Sequence, residues 1–189
     1  MERAAILIDG GYIDKVRLAF YKPVLDIVKF SDIICDNHCE RFRTYYYDAL
    51  PWIGDPPKPQ DLERRQTKQH YLDSLRMLHR IEVRLGEVQR LEVQCSKGQN
   101  HITYVQKLVD VLLSVDIVRL AWGGFVDKIV LVSGDRDFLP AVNTAKEAGV
   151  IVKLVYATPP HAYVHTNLLM ACDERQIITQ ELIKNSSAK

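Results

Sequence analysis

Residues Lys128–Ala157, KIVLVSGDRDFLPAVNTAKEAGVIVKLVYA, read as strand, turn, helix and strand. Four apolar residues, Ile129 to Val132, form a continuous run of the kind found in strands buried on both faces. Ser133-Gly134 supplies a turn, a helix is expected from about Asp137 to Ala148, and Gly149 stops it ahead of a second apolar run, Val150 to Tyr156. Two such strands joined by a helix pair in parallel. At the mouth of the first strand, Asp135 and Asp137 flank Arg136. Like charges set side by side cost stability, so something should offset them.

The same pattern recurs along the chain. Ala4 to Ile8 is apolar and runs into Asp9-Gly10-Gly11, so it predicts a central strand ending in a tight turn, with a helix from about Tyr12 to Phe20. Val24 to Ile34 suits a second helix, and the aromatic stretch Arg41 to Leu50 a strand. Pro51 to Pro59, with four prolines, must be a loop. A helix is expected over Asp61 to Arg80. The run Ile81 to Gln94 alternates on either side of Gly86 as a strand or hairpin. Ile102 to Trp122 carries helical apolar spacing and predicts one long helix closed by Gly123-Gly124. A short helix and a strand near Arg175 to Thr179 complete an α/β fold with a mainly parallel sheet covered on both faces. One domain is expected over 1–182, with 183–189 as a flexible tail.

Composition narrows the function. With 25 Lys/Arg against 24 Asp/Glu the net charge is +1, so binding to a polyanion needs a local patch. Cys35 and Cys39 flank His38, but zinc wants tighter paired spacing, and free thiols in a reducing cytoplasm account for the four cysteines. The five-residue apolar run near the start is too short for a leader, and no run approaches a membrane span, so a cytoplasmic location is expected.

In open α/β sheets, sites form outside the carboxyl ends of strands. Two apolar strands end there in acids, Asp9 and the Asp135/Asp137 pair. A third source is the apolar helix, interrupted by Asp110 and Asp116. Six residues place those two roughly 240° apart, so only one can face the site, and Asp110 is favoured because Lys107 lies one turn before it. For any single acid a helix cap explains its place equally well. Taken as a set, the carboxylates are an oxygen-only group suited to Mg2+ or Mn2+. No phosphate-binding glycine loop, zincin helix or nucleophile elbow is present.

The motifs LIDGGY (Leu7–Tyr12), RTYYYDALP (Arg43–Pro51), QKLVDVLLSVDIVRLA (Gln106–Ala121) and LVSGDRDFLPAVNTAKEAGV (Leu131–Val150) follow one another over most of the chain. In this the sequence resembles the NYN family, PIN-like nuclease domains related to bacterial LabA-type proteins. The resemblance implies a PIN-like three-layer α/β/α sandwich and a metal-dependent endoribonuclease. Asp9, Asp110, Asp135 and Asp137 would be its catalytic and metal-holding cluster, with Asp116 as a further candidate. Leu108 stands where the family motif has glycine, and Gly11-Tyr12 where it has asparagine.

For the substrate, Lys58 to Lys97 holds nine Lys/Arg against six Asp/Glu, a local basic excess. Arg64, Arg65 and Lys68 beside Trp52 suit single-stranded RNA, while Lys107, Ser133 and Arg136 are the further substrate-contact candidates; Arg136 is equally placed to pair with its neighbouring acids. The leading expectation is hydrolysis of RNA phosphodiesters. Its rivals are a module that binds RNA or a protein partner without turnover, and a phosphatase or DNA nuclease using the same acids. A homodimer is left open.

Overall fold

The computed structural model describes residues 1–21, 24–36, 38–94 and 100–187. Its elements run β1 (Glu2–Asp9), α1 (Gly10–Ala19), α2 (Ile27–Ile34), β2 (Cys39–Ala49), α3 (Pro59–Arg76), β3 (Ile81–Gln94) and β4 (Asn100–Lys107). They continue with α4 (Val109–Trp122), β5 (Lys128–Val132), a 3-10 turn (Arg136–Phe138), α5 (Leu139–Glu147), β6 (Ile151–Tyr156), α6 (Thr166–Ala171), β7 (Glu174–Ile177) and α7 (Gln180–Asn185). The seven strands form one sheet in the order β4-β3-β2-β1-β5-β6-β7. All neighbours are parallel except β3 and β4.

Alternate side chains of the central strand serve two cores. Ala4, Ile6 and Ile8 pack with Ile13 of α1, Phe30 of α2, Leu72 of α3 and Leu182 of α7. Ala5 and Leu7 pack with Leu113 of α4, Val142 of α5 and Leu168 of α6. The result is the expected three-layer α/β/α sandwich. Burying each Leu, Ile or Val side chain in these cores contributes roughly 1.5–3 kcal/mol, which explains why β1 and β5 are apolar throughout.

Two expectations are corrected and one is resolved. The region from Ile102 is not helical up to Lys107; it is β4, and α4 starts at Val109 after a break at Leu108. Apolar residues at 102, 105 and 108 suit either element, and the antiparallel pairing of β3 with β4 decides between them. The run Ile81 to Gln94, expected as strand or hairpin, is a strand. It is one 14-residue strand that changes partner midway, parallel to β2 up to Gly86 and antiparallel to β4 from Glu87. The chain beyond 182 continues as α7 to Asn185, with Ile183 and Ser186 buried and Ser187 bridged to Leu25, so the flexible tail does not begin at 183.

Strand order reverses between β1 and β5: the chain builds outward from β1 through β2 to β4, then crosses back along α4 to lay β5 on the other side of β1. The carboxyl ends of β1 and β5 therefore flank the crevice where open α/β sheets take their ligands.

Candidate active site

Asp9 ends β1 and caps α1, its Oδ1 accepting the Tyr12 N–H at 3.0 Å. Its Oδ2 accepts the Ser133 hydroxyl at 3.1 Å, from the residue directly after β5. The Asp135 N–H donates to that same hydroxyl at 3.3 Å, and the Asp137 N–H donates to Asp135 Oδ1 at 3.0 Å. One chain of hydrogen bonds thus links the ends of both strands. Ser133 is fully buried and spends its hydroxyl inside the protein, so it holds the turn rather than a substrate. Gly134 is required for a similar reason: a Cβ there would meet the Tyr163 carbonyl oxygen at 2.1 Å. The space beside this glycine is filled by the protein's own backbone.

Asp110 arrives from the opposite core layer, in the first turn of α4, where the helix dipole favours a carboxylate. The residue that sets this start is Leu108, at φ 70° and ψ −17°. That left-handed conformation costs a non-glycine residue roughly 1–2 kcal/mol, and it is the one a glycine adopts freely. Gly86 of β3 lets the turn lie close, since a Cβ there would meet the Lys107 carbonyl at 2.5 Å.

Electrostatics ties the four acids together. Burial holds the Asp9 carboxyl above its ordinary range, with the Asp110 charge adding to the rise against hydrogen bonds from Tyr12 and Ser133 that lower it. Asp110 is likewise raised, first by burial and then by the charges of Asp135 and Asp137. Among the described residues none of the four forms an ion pair, and no three ligating side chains make a ready-built metal cage. The donor set is nonetheless oxygen-only. Mg2+ is commonly held by one or two carboxylates plus waters and substrate phosphate, which needs no closed cage.

Comparison with known proteins places this geometry. The NYN domain family model matches residues 3–180. The chain belongs to the NYN domain family. An uncharacterised protein of Methanocaldococcus jannaschii is 33% identical over 85 residues, covering 43% of this chain and 35% of that protein. The chain thus spans about a third of that relative's length. The crystal structure of MurG from Acinetobacter baumannii superposes over 100% of this chain and 47% of its own, at a TM-score of 0.43 and 12% identity. NYN domains are PIN-like nuclease domains, which makes the acids at the β1/β5 crevice the natural centre of interest.

Other residues singled out in the sequence fall elsewhere in the NYN domain. Asp116 is buried beneath α4, accepting from the Tyr47 hydroxyl at 2.9 Å and from Arg119 at 2.9 Å, with Arg84 at 3.3 Å. It is a structural hub, not a neighbour of the other four. Lys68 is also committed: its ammonium sits 2.5 Å from Asp48 and 3.0 Å from Asp14. Burial works against its charge, but the two carboxylates more than offset that and hold it above its usual range. Arg65 donates to the Pro51 carbonyl and Arg64 to that of Trp52, so both brace the proline loop. Arg136, read as either pairing with its flanking acids or contacting phosphate, is exposed and makes no ion pair among the described residues. Lys107, the last residue of β4, is likewise exposed and unpaired.

Sequence reasoning missed Lys15 and His165. With Asp9, Asp135 and Arg136 they line a cavity of about 330 Å³. Lys15 is exposed on α1, two turns from the cap residue, and its charge lowers Asp9. His165 Nδ1 accepts the Asn167 N–H at 3.3 Å, which leaves Nε2 as the ring's other polar atom. No motif marks either residue; only the return of the chain after β6 brings His165 to the crevice.

Among the described residues, no helix is long and apolar enough to cross a membrane.

Proposed function

We propose that this NYN domain is a metal-dependent endoribonuclease that hydrolyses phosphodiester bonds of single-stranded RNA at Asp9, Asp110, Asp135 and Asp137. The observation that carries the reading is the gathering of four carboxylates from three separate elements, none of them in an ion pair among the described residues. Such a set is self-repelling, and a divalent cation together with substrate phosphate would relieve it. Bound there, Mg2+ or Mn2+ would supply activation of water and stabilisation of the leaving oxygen. The chain's own residues do the rest. Asp9 and Asp135 are fixed by the Ser133 hydroxyl. Lys15 and Arg136 are exposed cations that line the crevice with Asp9 and Asp135 and are placed to contact phosphate there. Leu108 does not argue against turnover, because its backbone keeps the conformation that the family's glycine would take.

Cleavage of a labelled single-stranded RNA with Mg2+ or Mn2+ tests this. Asp135→Asn should lower the rate by about a hundredfold or more while leaving the far-UV spectrum unchanged. Cleavage that survives both EDTA and this substitution would overturn the reading.

A further inference from the structure

Trp52, on the loop after β2, and Tyr104, on β4, face each other across a groove of about 390 Å³ whose floor includes Gly11 and Asp48. Their ring centroids are 6.4 Å apart and their planes are inclined by 32°. The pair forms a tilted wedge, at a separation within the roughly 4.5–7 Å range of directly interacting rings. A base would enter it when the Trp52 ring turns aside to stand about 7 Å from Tyr104, twice the ~3.4 Å spacing of stacked bases. Tyr104 is 55% exposed, although two large apolar rings side by side would ordinarily be buried against something.

Placement gives the groove its meaning. Gly11 lies two residues beyond Asp9, and Tyr47, just before Asp48, is the register partner of Asp9 in the β1–β2 ladder. The wedge and the acids thus share the carboxyl edge of the sheet, the wedge over β2 to β4 and the acids over β1 and β5. Arg64 borders the groove with a side chain that is 63% exposed, and its carboxylate partner Asp61 is 3.7 Å away. Arg64 and Arg65 hold the Trp52 loop through its carbonyls, so that ring is mounted on a helix.

We propose that Trp52 and Tyr104 form a stacking clamp for one unpaired nucleobase of the strand that crosses the acidic crevice, with Arg64 contacting an adjacent phosphate. A base within a duplex has both faces covered by its neighbours, so the clamp selects single strands. This assignment rests on the nuclease reading for the direction of the strand, but its binding chemistry is independent of cleavage.

The test is anisotropy of a short labelled RNA in the Asp135→Asn background with EDTA, so that no turnover intervenes. Trp52→Ala and Tyr104→Ala are each expected to weaken single-strand binding by about tenfold, Trp52→Phe to retain most of it, and duplex binding to change less than twofold. The clamp is overturned if both alanine variants, folded by circular dichroism, bind within twofold of their parent, or if the parent does not prefer single strands. A wild type that never cleaves RNA while Trp52 still governs binding would remove the nuclease reading and leave the clamp. Cleavage lost in Asp135→Asn with no effect of either ring would do the reverse.

Discussion

At the amino ends of β5 and β6, Lys128 and Lys153 are buried, and each is met by acids. Lys128 lies 2.9 Å from Glu174, with Glu2 and Asp36 at 3.9 Å. Lys153 lies 2.6 Å from Asp36 and donates to the Ile34 carbonyl at the end of α2, where the helix dipole welcomes a cation. At the carboxyl ends of β1 and β5 the acids have no such partners. At the carboxyl edge Asp48 is closed by Lys68, but the four acids beside β1 and β5 stay open. Asp9 is half-buried and Asp110, Asp135 and Asp137 are exposed, so what they cost one another is mutual repulsion, which a bound cation would relieve. The contrast separates an edge whose ion pairs hold the fold from a set of acids left unpaired.

Breaking the closed edge should have the largest effect on stability. Lys153→Met removes one member of a buried ion pair and should cost about 3 kcal/mol in chemical denaturation, while leaving any response to Mn2+ intact. A loss well below 1 kcal/mol would mean that the lower edge is not what the ion pairs make it look like. Completing the open edge comes next. At ten times its Kd, Mn2+ should stabilise the wild type by about 1.4 kcal/mol, a rise of roughly 3–6 °C in Tm, and Asp110→Asn should lose most of that shift. Equal shifts in the two proteins would place the metal elsewhere.

The smallest effect is read through pH. Burial holds Asp9 above its unfolded value, so between the two values the folded chain binds more protons than the unfolded one. Stability then falls as pH rises through that window, from about 3.9 upward, and stays reduced above the folded value. Asp9→Asn keeps a helix-capping side chain but removes this decline. Without metal its Tm should match the wild type near pH 3 and exceed it at neutrality. A wild type that is the more stable of the two at neutral pH would contradict the picture of an uncompensated edge.

Much of this was readable from the sequence, for a physical reason. Strands buried on both faces must be apolar throughout, so β1 and β5 announce themselves, and so do the acids at their ends. Helical geometry alone says that Asp110 and Asp116 cannot share a face, whereas the preference for Asp110 leaned on Lys107, which lies on β4 and not on the helix. What stayed hidden depended on contacts between distant segments. Lys68 reads as a surface cation until α3 packs against α1 and β2, bringing Asp14 and Asp48 to it. The start of α4 was obscured because Leu108 makes the left-handed break without the glycine that usually signals one. With no punctuation between them, β4 and α4 read as one helix, and Tyr104 was lost as an exposed ring.

The route of the chain also dictates when the crevice can exist. Asp9 and Ser133, which share a hydrogen bond, are 124 residues apart, and β1 gains its second neighbour only when β5 is laid beside it after the return along α4. A chain emerging from its amino end holds β1 with one edge unpaired until residues through 132 are available. Contacts of such long range are made late and slow folding. A nascent chain at that stage carries Asp9 and Asp110 but lacks the turn that joins them to Asp135. Assembly of the acidic edge therefore waits until the turn that follows β5 has emerged.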